Sequence, residues 1–414
     1  MMVPMKRVVI VASGQSYRTG DFVAAAELLQ IEPIVATDVV PPVAGAQVQV
    51  DLADPVGAAD VIGLLDPPPN AIVAIDDQGV AVASRASADL GLAHNPVEAV
   101  AATRDKLLMR RLLKVAAVPQ PRFAPVAPGA GPAVAAEIGF PVVLKPAGLS
   151  ASRGVIRADD SAAVRRAEAR IRAMLGESGR DSDQELVAEE YLAGSEMVVE
   201  GLLSNGRLEV LALIDKPDPM EGPFFEETML VTPSRHDAAV QEAAIVLAES
   251  GARGLGLQSG PIHAEVRVSP AGEVRLLEVA ARSIGGLCGR ALTFGLVGES
   301  LEVIVLRSAL GMPTLDTTPA RPATGVLMLP IPATGILSGI EGIEQVRELD
   351  GIDEVTLTIT PGRRVVALPE GDRYLGFVFA GGVDADAVES ILREAASVLS
   401  VVVDGEAVPV AYSG

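Results

Sequence analysis

The sequence has no tryptophan, only 3% aromatic residues and a single cysteine, Cys288, in 414 residues. With so few rings, the interior has to be built mainly from Ala, Val, Leu and Ile. One thiol cannot close an intramolecular disulfide, which excludes a disulfide scaffold and fits a reducing cytosol. Positive charge is also short: Lys+Arg 33 against Asp+Glu 54 leaves −21. A chain so acidic repels nucleic acid and anionic membrane surfaces, so neither is expected as a partner. The opening run Val8–Ala12 is too short for the apolar part of a signal peptide, and no apolar stretch is long enough to span a bilayer. The expectation is a soluble, cytoplasmic protein. Its composition, 49% hydrophobic and 21% charged, is that of a globular chain long enough for about two to three domains.

Strand and helix signals alternate over the first hundred residues. Val8–Ala12 and Ala71–Ile75 are continuous apolar runs suited to buried parallel strands, and an Ala/Leu-rich helix, Phe22–Leu29, lies between them. This alternation predicts an open α/β sheet. Asn95 as N-cap and Pro96 at the first helical position predict a long helix running to about Lys114. The Pro/Gly-rich stretch Val118–Pro132 is read as a linker. Strands are expected at Phe140–Lys145, Leu186–Tyr191, 197–214 and 261–281, with helices at Ala162–Leu175 and about 237–251. A Pro-rich break at Pro313–Pro322 precedes a last section read as strand, helix, three strands, helix, strand, its final helix capped by Asp384. The domains are therefore drawn at 1–95, 96–320 (with a linker helix at 96–115) and 321–414.

Chemistry concentrates in three segments. In Pro261–Gly286 the turn Ser269-Pro270-Ala271-Gly272 predicts a hairpin that sets Val268 opposite Glu273, so that Glu265 faces Leu276 and Glu278 faces His263. His263, Glu265, Glu278, Ala280 and Arg282 then share one face. Diagonal neighbours lie roughly 7–8 Å apart, near enough for two carboxylates to hold a divalent cation. Magnesium suits them best; a solvated edge hairpin is the competing account. Next, Lys145 ends the apolar strand Val142–Leu144 beside a Gly/Ser loop, Gly148 to Gly154, a pairing that can cover phosphate oxygens although it is not a Walker A loop. The third segment is Leu186–Glu196, where Glu189-Glu190-Tyr191-Leu192 can offer backbone groups to an adenine edge. The loop Lys216–Glu227 mixes aromatics with acids, including Glu226 and Glu227, and is expected to meet substrate; an ordinary surface loop is its alternative.

In this order the segments resemble the ATP-grasp superfamily, and the chain looks most like the bacterial L-amino-acid ligases and related peptide ligases. Glu278-Val279-Ala280-Ala281-Arg282 followed by Gly285-Gly286 matches their Glu-x-Ala-Ala-Arg pattern, and Tyr374-Leu375-Gly376-Phe377 resembles part of their C-terminal domain. The resemblance implies an ATP-grasp fold: an N-terminal open α/β domain, two lobes with ATP between them, and a small α+β cap. It implies that Lys106 and Lys145 contact ATP phosphates under the loop carrying Gly148, Ser150, Ser152 and Gly154. Glu189, Tyr191 and Leu192 would line the adenine site and Glu196 would meet the ribose. Glu265 and Glu278 would hold Mg²⁺, with Mn²⁺ as an alternative. Ala280 stands where many superfamily members carry a metal-binding Asn, which suits the amino-acid ligases.

The implied reaction joins a small-molecule carboxylate to an amine. The acid attacks the γ-phosphate, and the amine opens the resulting acyl phosphate. Lys145 and Arg282 are the expected catalytic residues, with Glu226, Glu227, His263, Gly285 and Gly286 as substrate candidates. His263 is expected to hydrogen-bond Glu278, and Cys288 to be a buried structural thiol. A homodimer is compatible with the resemblance. Rival readings are a purine-pathway enzyme acting on a phosphoribosyl substrate, for which Tyr17-Arg18-Thr19 is the only basic hint, and a nucleotide-binding module without turnover. A dinucleotide oxidoreductase is disfavoured, since Val11–Ser16 lacks Gly-x-Gly-x-x-Gly.

Overall fold

The computed structural model describes residues 5–39, 45–293, 299–313 and 321–410. Its N-terminal sheet holds four parallel strands in the spatial order Ala46–Gln49, Glu32–Thr37, Arg7–Val11, Ala71–Ala74. Val8 to Val11 are fully buried, as an apolar run covered on both faces must be. The strand order reverses beside Arg7–Val11, and in such sheets ligands bind at the carboxyl ends of the strands flanking the reversal. Those ends carry Ser13 on one side and Asp76-Asp77 on the other.

The linker helix is broken. Asp105 is extended, and its carboxylate accepts hydrogen bonds from Leu107 N and Leu108 N, so Val97–Arg104 ends and Lys106–Val115 begins anew. Asn95 is not the N-cap. Pro96 takes that position, while Asn95 ties the loop to Gln258 and Ser259. The stretch read as a linker also contains a strand, Phe123–Val126, and the start of the helix Gly131–Ile138. That strand joins Leu186–Glu190, Val142–Pro146 and Ile156–Ala158 in a four-stranded antiparallel sheet covered by Ser161–Glu177.

An eight-stranded antiparallel sheet forms the second lobe and continues into the C-terminal section. Its order is Val274–Ala280, Gly260–Val268, Ser195–Ser204, Arg207–Lys216, Met229–Thr232, Ala323–Leu329, Gly376–Gly382, Ile352–Leu357. The last section runs strand, strand, helix, three strands, helix, two strands, because Gly335–Glu341 and Glu406–Pro409 add to the expected order. Asp384 caps its final helix through Ala387 N, as the sequence predicts. Of the Pro-rich break at Pro313–Pro322, residues 314–320 lie outside the described residues. Four of the aromatics meet between the N-terminal and C-terminal parts: Tyr17 packs edge-on against Phe377 at 5.9 Å, and Tyr374 and Phe379 flank the same ring.

Gly194 turns the chain from the first lobe into the second. Its φ is +124°, and a Cβ there would lie 2.0 Å from the Val268 carbonyl oxygen. Gly194→Ala should therefore cost more than about 1 kcal/mol in urea unfolding; an unchanged midpoint would show that the corner tolerates a side chain.

Candidate active site

The hairpin forms with a different register from the one its turn predicts. Val268 pairs with Val274 and Val266 with Leu276, and then a bulge at Leu277 shifts the ladder. Beyond it Glu265 pairs directly with Glu278, and His263 with Ala280. The two carboxylates are thus opposite neighbours rather than diagonal ones. Arg110 accounts for the bulge: its buried guanidinium donates to the Leu277 carbonyl at 2.5 Å. The expected bond from His263 to Glu278 does not form, because the shift moves Glu278 away. His263 lies beside Glu200 at 2.9 Å and Glu265 at 3.4 Å. Burial would depress the imidazole, but those two carboxylates outweigh it and push its pKa up to about 9. Glu200 also accepts from Ile284 N at 2.9 Å, fixing the turn after Arg282.

Lys145 does project from its strand towards the cleft, where its ammonium lies 2.7 Å from Glu189. Glu189 is 2% exposed and also lies 2.7 Å from Arg110, so its carboxylate is an anchor between two cations. Lys106 reaches the Leu149 carbonyl at 2.8 Å and Glu278 at 3.5 Å, and its backbone N–H donates to Ala147. The Gly/Ser loop is thereby held at its start. Gly154 and Arg153 hold its other end, donating to the carbonyls of Pro369 and Glu370 at 3.0 Å. This C-terminal clamp has no local signal in the sequence. Tyr191 lies under the Arg157 guanidinium at 4.3 Å.

Lys216, at the edge of the expected substrate loop, proves central. Its buried ammonium is held by Glu196, by Glu227 at 2.5 Å and by Glu265 at 3.1 Å. Burial opposes its charge, yet the three carboxylates raise its pKa. Glu196 is itself buried in that pair. Glu226 is pushed up to about 7 by burial. Glu265 and Glu278 are paired across the ladder, and one carboxylate oxygen each from Glu196, Glu227 and Glu265 lie within 4.8 Å of one another, hard donors of the kind that fit a divalent cation such as magnesium.

The N-terminal wall holds Arg282. Its guanidinium donates to Asp77 at 2.9 Å and to the Ser283 carbonyl at 3.0 Å. Arg18, the one basic hint there, is buried and committed to the carbonyls of Ile75 and Ile284, to Ser283 Oγ and to Glu302. These groups surround a cavity of about 350 Å³, within the range of small-molecule sites. It brings together Lys106, Lys145, Ser150, Ser152, Glu189, Tyr191, Leu192, Glu196, Glu227, His263, Glu265, Glu278, Arg282, Gly285 and Gly286. Gly148, Gly154 and Glu226 do not line it. Arg373 and Tyr374 reach its wall from the C-terminal section. Cys288 is buried there with its thiol pushed up by burial and by Glu227, which suits packing rather than nucleophilic attack.

Residues 138–291 match the ATP-grasp domain family, and residues 327–404 match the L-amino acid ligase C-terminal domain 2 family. An uncharacterized protein of Sinorhizobium fredii is 27% identical over 70% of this chain and 59% of its own length. Alanine–anticapsin ligase of Bacillus subtilis is 29% identical over 52% of this chain and 49% of its own. The chain thus spans about half the length of these curated relatives. The crystal structure of L-amino acid ligase from Bacillus licheniformis superposes with a TM-score of 0.78 at 22% identity, covering 97% of this chain and all of that one, so the two share a fold. Among the described residues, no helix is long and apolar enough to cross a membrane.

Burial alone would raise Glu189, but Arg110 and Lys145 hold its carboxyl down to about 2. A depressed folded pKa gives stability that is complete above the ordinary value of 4.5 and is lost as pH falls towards 2. Glu189→Gln should therefore be less stable than the wild type at neutral pH, with the gap closing over that acid window. Urea midpoints that coincide at neutral pH would contradict the anchoring role.

Proposed function

We propose, from the premise that the chain carries an ATP-grasp domain and an L-amino acid ligase C-terminal domain, that it is an ATP-dependent ligase joining an amino-acid carboxylate to an amine. The observation that carries this reading is the convergence of Glu265 and Glu278, three lysines and Arg282 on one cavity. We keep 1–95, 96–320 and 321–414 as its domains and the cytoplasm as its location.

In the proposed reaction a substrate carboxylate oxygen attacks the γ-phosphorus of ATP, the bond to the bridging oxygen breaks, and ADP leaves. The amine nitrogen then attacks the acyl carbon, loses its proton and expels phosphate. Such phosphoryl transfer needs positioning and charge neutralisation more than covalent help. Lys106, Lys145 and Lys216 supply ammonium groups for the phosphates. The loop from Gly148 to Gly154, with Ser150 and Ser152, covers them. Tyr191 and Leu192 border the adenine and Glu196 the ribose. Glu265 and Glu278 would hold Mg²⁺, which when bound neutralises phosphate charge. Arg282 meets charge on the transferring phosphoryl group and the tetrahedral carbon. Glu227, Gly285 and Gly286 border the substrates. A phosphoribosyl substrate is disfavoured, since Arg18 is fully committed inside the protein and so offers no free cation to a sugar phosphate.

A screen of amino-acid pairs with ADP release as readout tests the proposal. ADP formation should require both a carboxylate and an amine; release indifferent to every pair would exclude this reading. On the active pair, Arg282→Ala should bind Mg·ATP normally yet turn over about 10²–10³-fold more slowly. Glu278→Gln should lose nearly all turnover at low magnesium while still folding. Near-normal rates in either would remove that residue from the site.

A further inference from the structure

Arg282 has to hold one orientation to serve a transferring phosphoryl group, and a free arginine side chain has many rotamers to lose. Its own strand ends at Ala280 and does not fix it. The Ser283 carbonyl binds one nitrogen at 3.0 Å, and Asp77 binds another at 2.9 Å. Asp77 comes from the N-terminal sheet, at the carboxyl end of Ala71–Ala74, beside the reversal in strand order. It is held from both sides. Next to it, Asp76 accepts from Ser13 N at 2.8 Å and from Gln78 N and Gly79 N at 3.1 Å, which locks the local backbone. On the far side Arg104 lies 3.6 Å from the second Asp77 oxygen. Asp76 thus spends its oxygens on backbone N–H groups, whereas Asp77 faces two guanidinium groups in the cavity.

We propose that Asp77 is a positioning residue for this reaction, holding the Arg282 guanidinium across the domain junction in the orientation it needs at the reacting centre. The chemistry rests on the ligase reading above; the positioning does not. Asp77 already has two cationic partners, which argues against its being the receptor for a substrate ammonium. The N-terminal domain, in this account, completes the active site as well as flanking it.

Asp77→Asn keeps the shape and removes the charge. On an active substrate pair, kcat should fall roughly 10²-fold, the scale of a misplaced catalytic group. KM for ATP and for the amine should stay within about 2-fold, since neither is bound by Asp77. Asp77→Glu, which keeps the charge, should recover part of the rate. In an Arg282→Lys background, Asp77→Asn should cost little more, because two residues acting as one unit are not additive. Equal losses in both backgrounds, or a raised amine KM at unchanged kcat, would overturn the proposal. A crystal structure of Asp77→Asn decides it independently of turnover. The guanidinium should leave the Ser283 carbonyl, and one that stays in place would overturn the positioning role. Absence of amine-dependent ADP release in the wild type would count against the ligase reading alone.

Discussion

A carboxylate taken out of water needs a cation, and the cavity is organised by that need. Glu189 is held between Arg110 and Lys145, Glu265 between Lys216 and His263, and Asp77 between Arg282 and Arg104. All of these pairs except His263–Glu265, which lie on one strand, join two pieces of chain, so the ion pairs also set how the pieces meet. Arg110 is the clearest case. One guanidinium joins the linker helix to Glu189 of the first lobe and to the bulged Leu277 of the second. The bulge it stabilises brings Glu278 opposite Glu265. Removing one member of such a pair leaves a buried charge behind, which costs far more than the pair contributes.

The same arrangement prepares the proposed chemistry. Lysines that balance carboxylates in this structure are the groups that phosphate oxygens would attract, and the carboxylates are the groups that a divalent cation would attract. In the proposed complex the lysines would turn to phosphate oxygens and the carboxylates to the divalent cation, leaving few charges without a partner. Preorganisation of this kind is where electrostatic catalysis gains most, since no dipoles need reorienting when charge moves. The C-terminal section joins in: Pro369 and Glu370 hold the end of the Gly/Ser loop, while Arg373 and Tyr374 border the cavity.

Much of this was legible in the sequence, for identifiable reasons. The apolar runs at Val8 and Ala71 could only be buried strands, and Ser269–Gly272 could only be a turn. Glu265, Glu278, Lys145 and Arg282 were visible because they sit in two short segments, a hairpin face ending in Glu-x-Ala-Ala-Arg and a strand-end lysine beside a Gly/Ser loop. The bulge at Leu277 was not, since nothing in the strand marks it and its cause, Arg110, lies far back in the chain. Asp105 could have been read as a cap before Lys106-Leu107-Leu108, which would have revealed the broken helix. Lys216 was legible only as the edge of a loop, because two of the three carboxylates that define its role, Glu196 and Glu265, come from other stretches. Asp77 follows the apolar run Ala71–Ile75 with no local signal of its role. Its partner lies 205 residues away, and only the closed fold brings the two together.

The central claim is that a substrate carboxylate attacks the γ-phosphorus. Its oxygen must then leave with phosphate when the amine displaces it. An active substrate pair with the acid labelled by ¹⁸O in its carboxylate, analysed by mass spectrometry of the phosphate released, tests this directly. The account predicts one labelled oxygen carried into phosphate per amide formed. Unlabelled phosphate, with label retained in the product amide and water, would contradict an acyl-phosphate route.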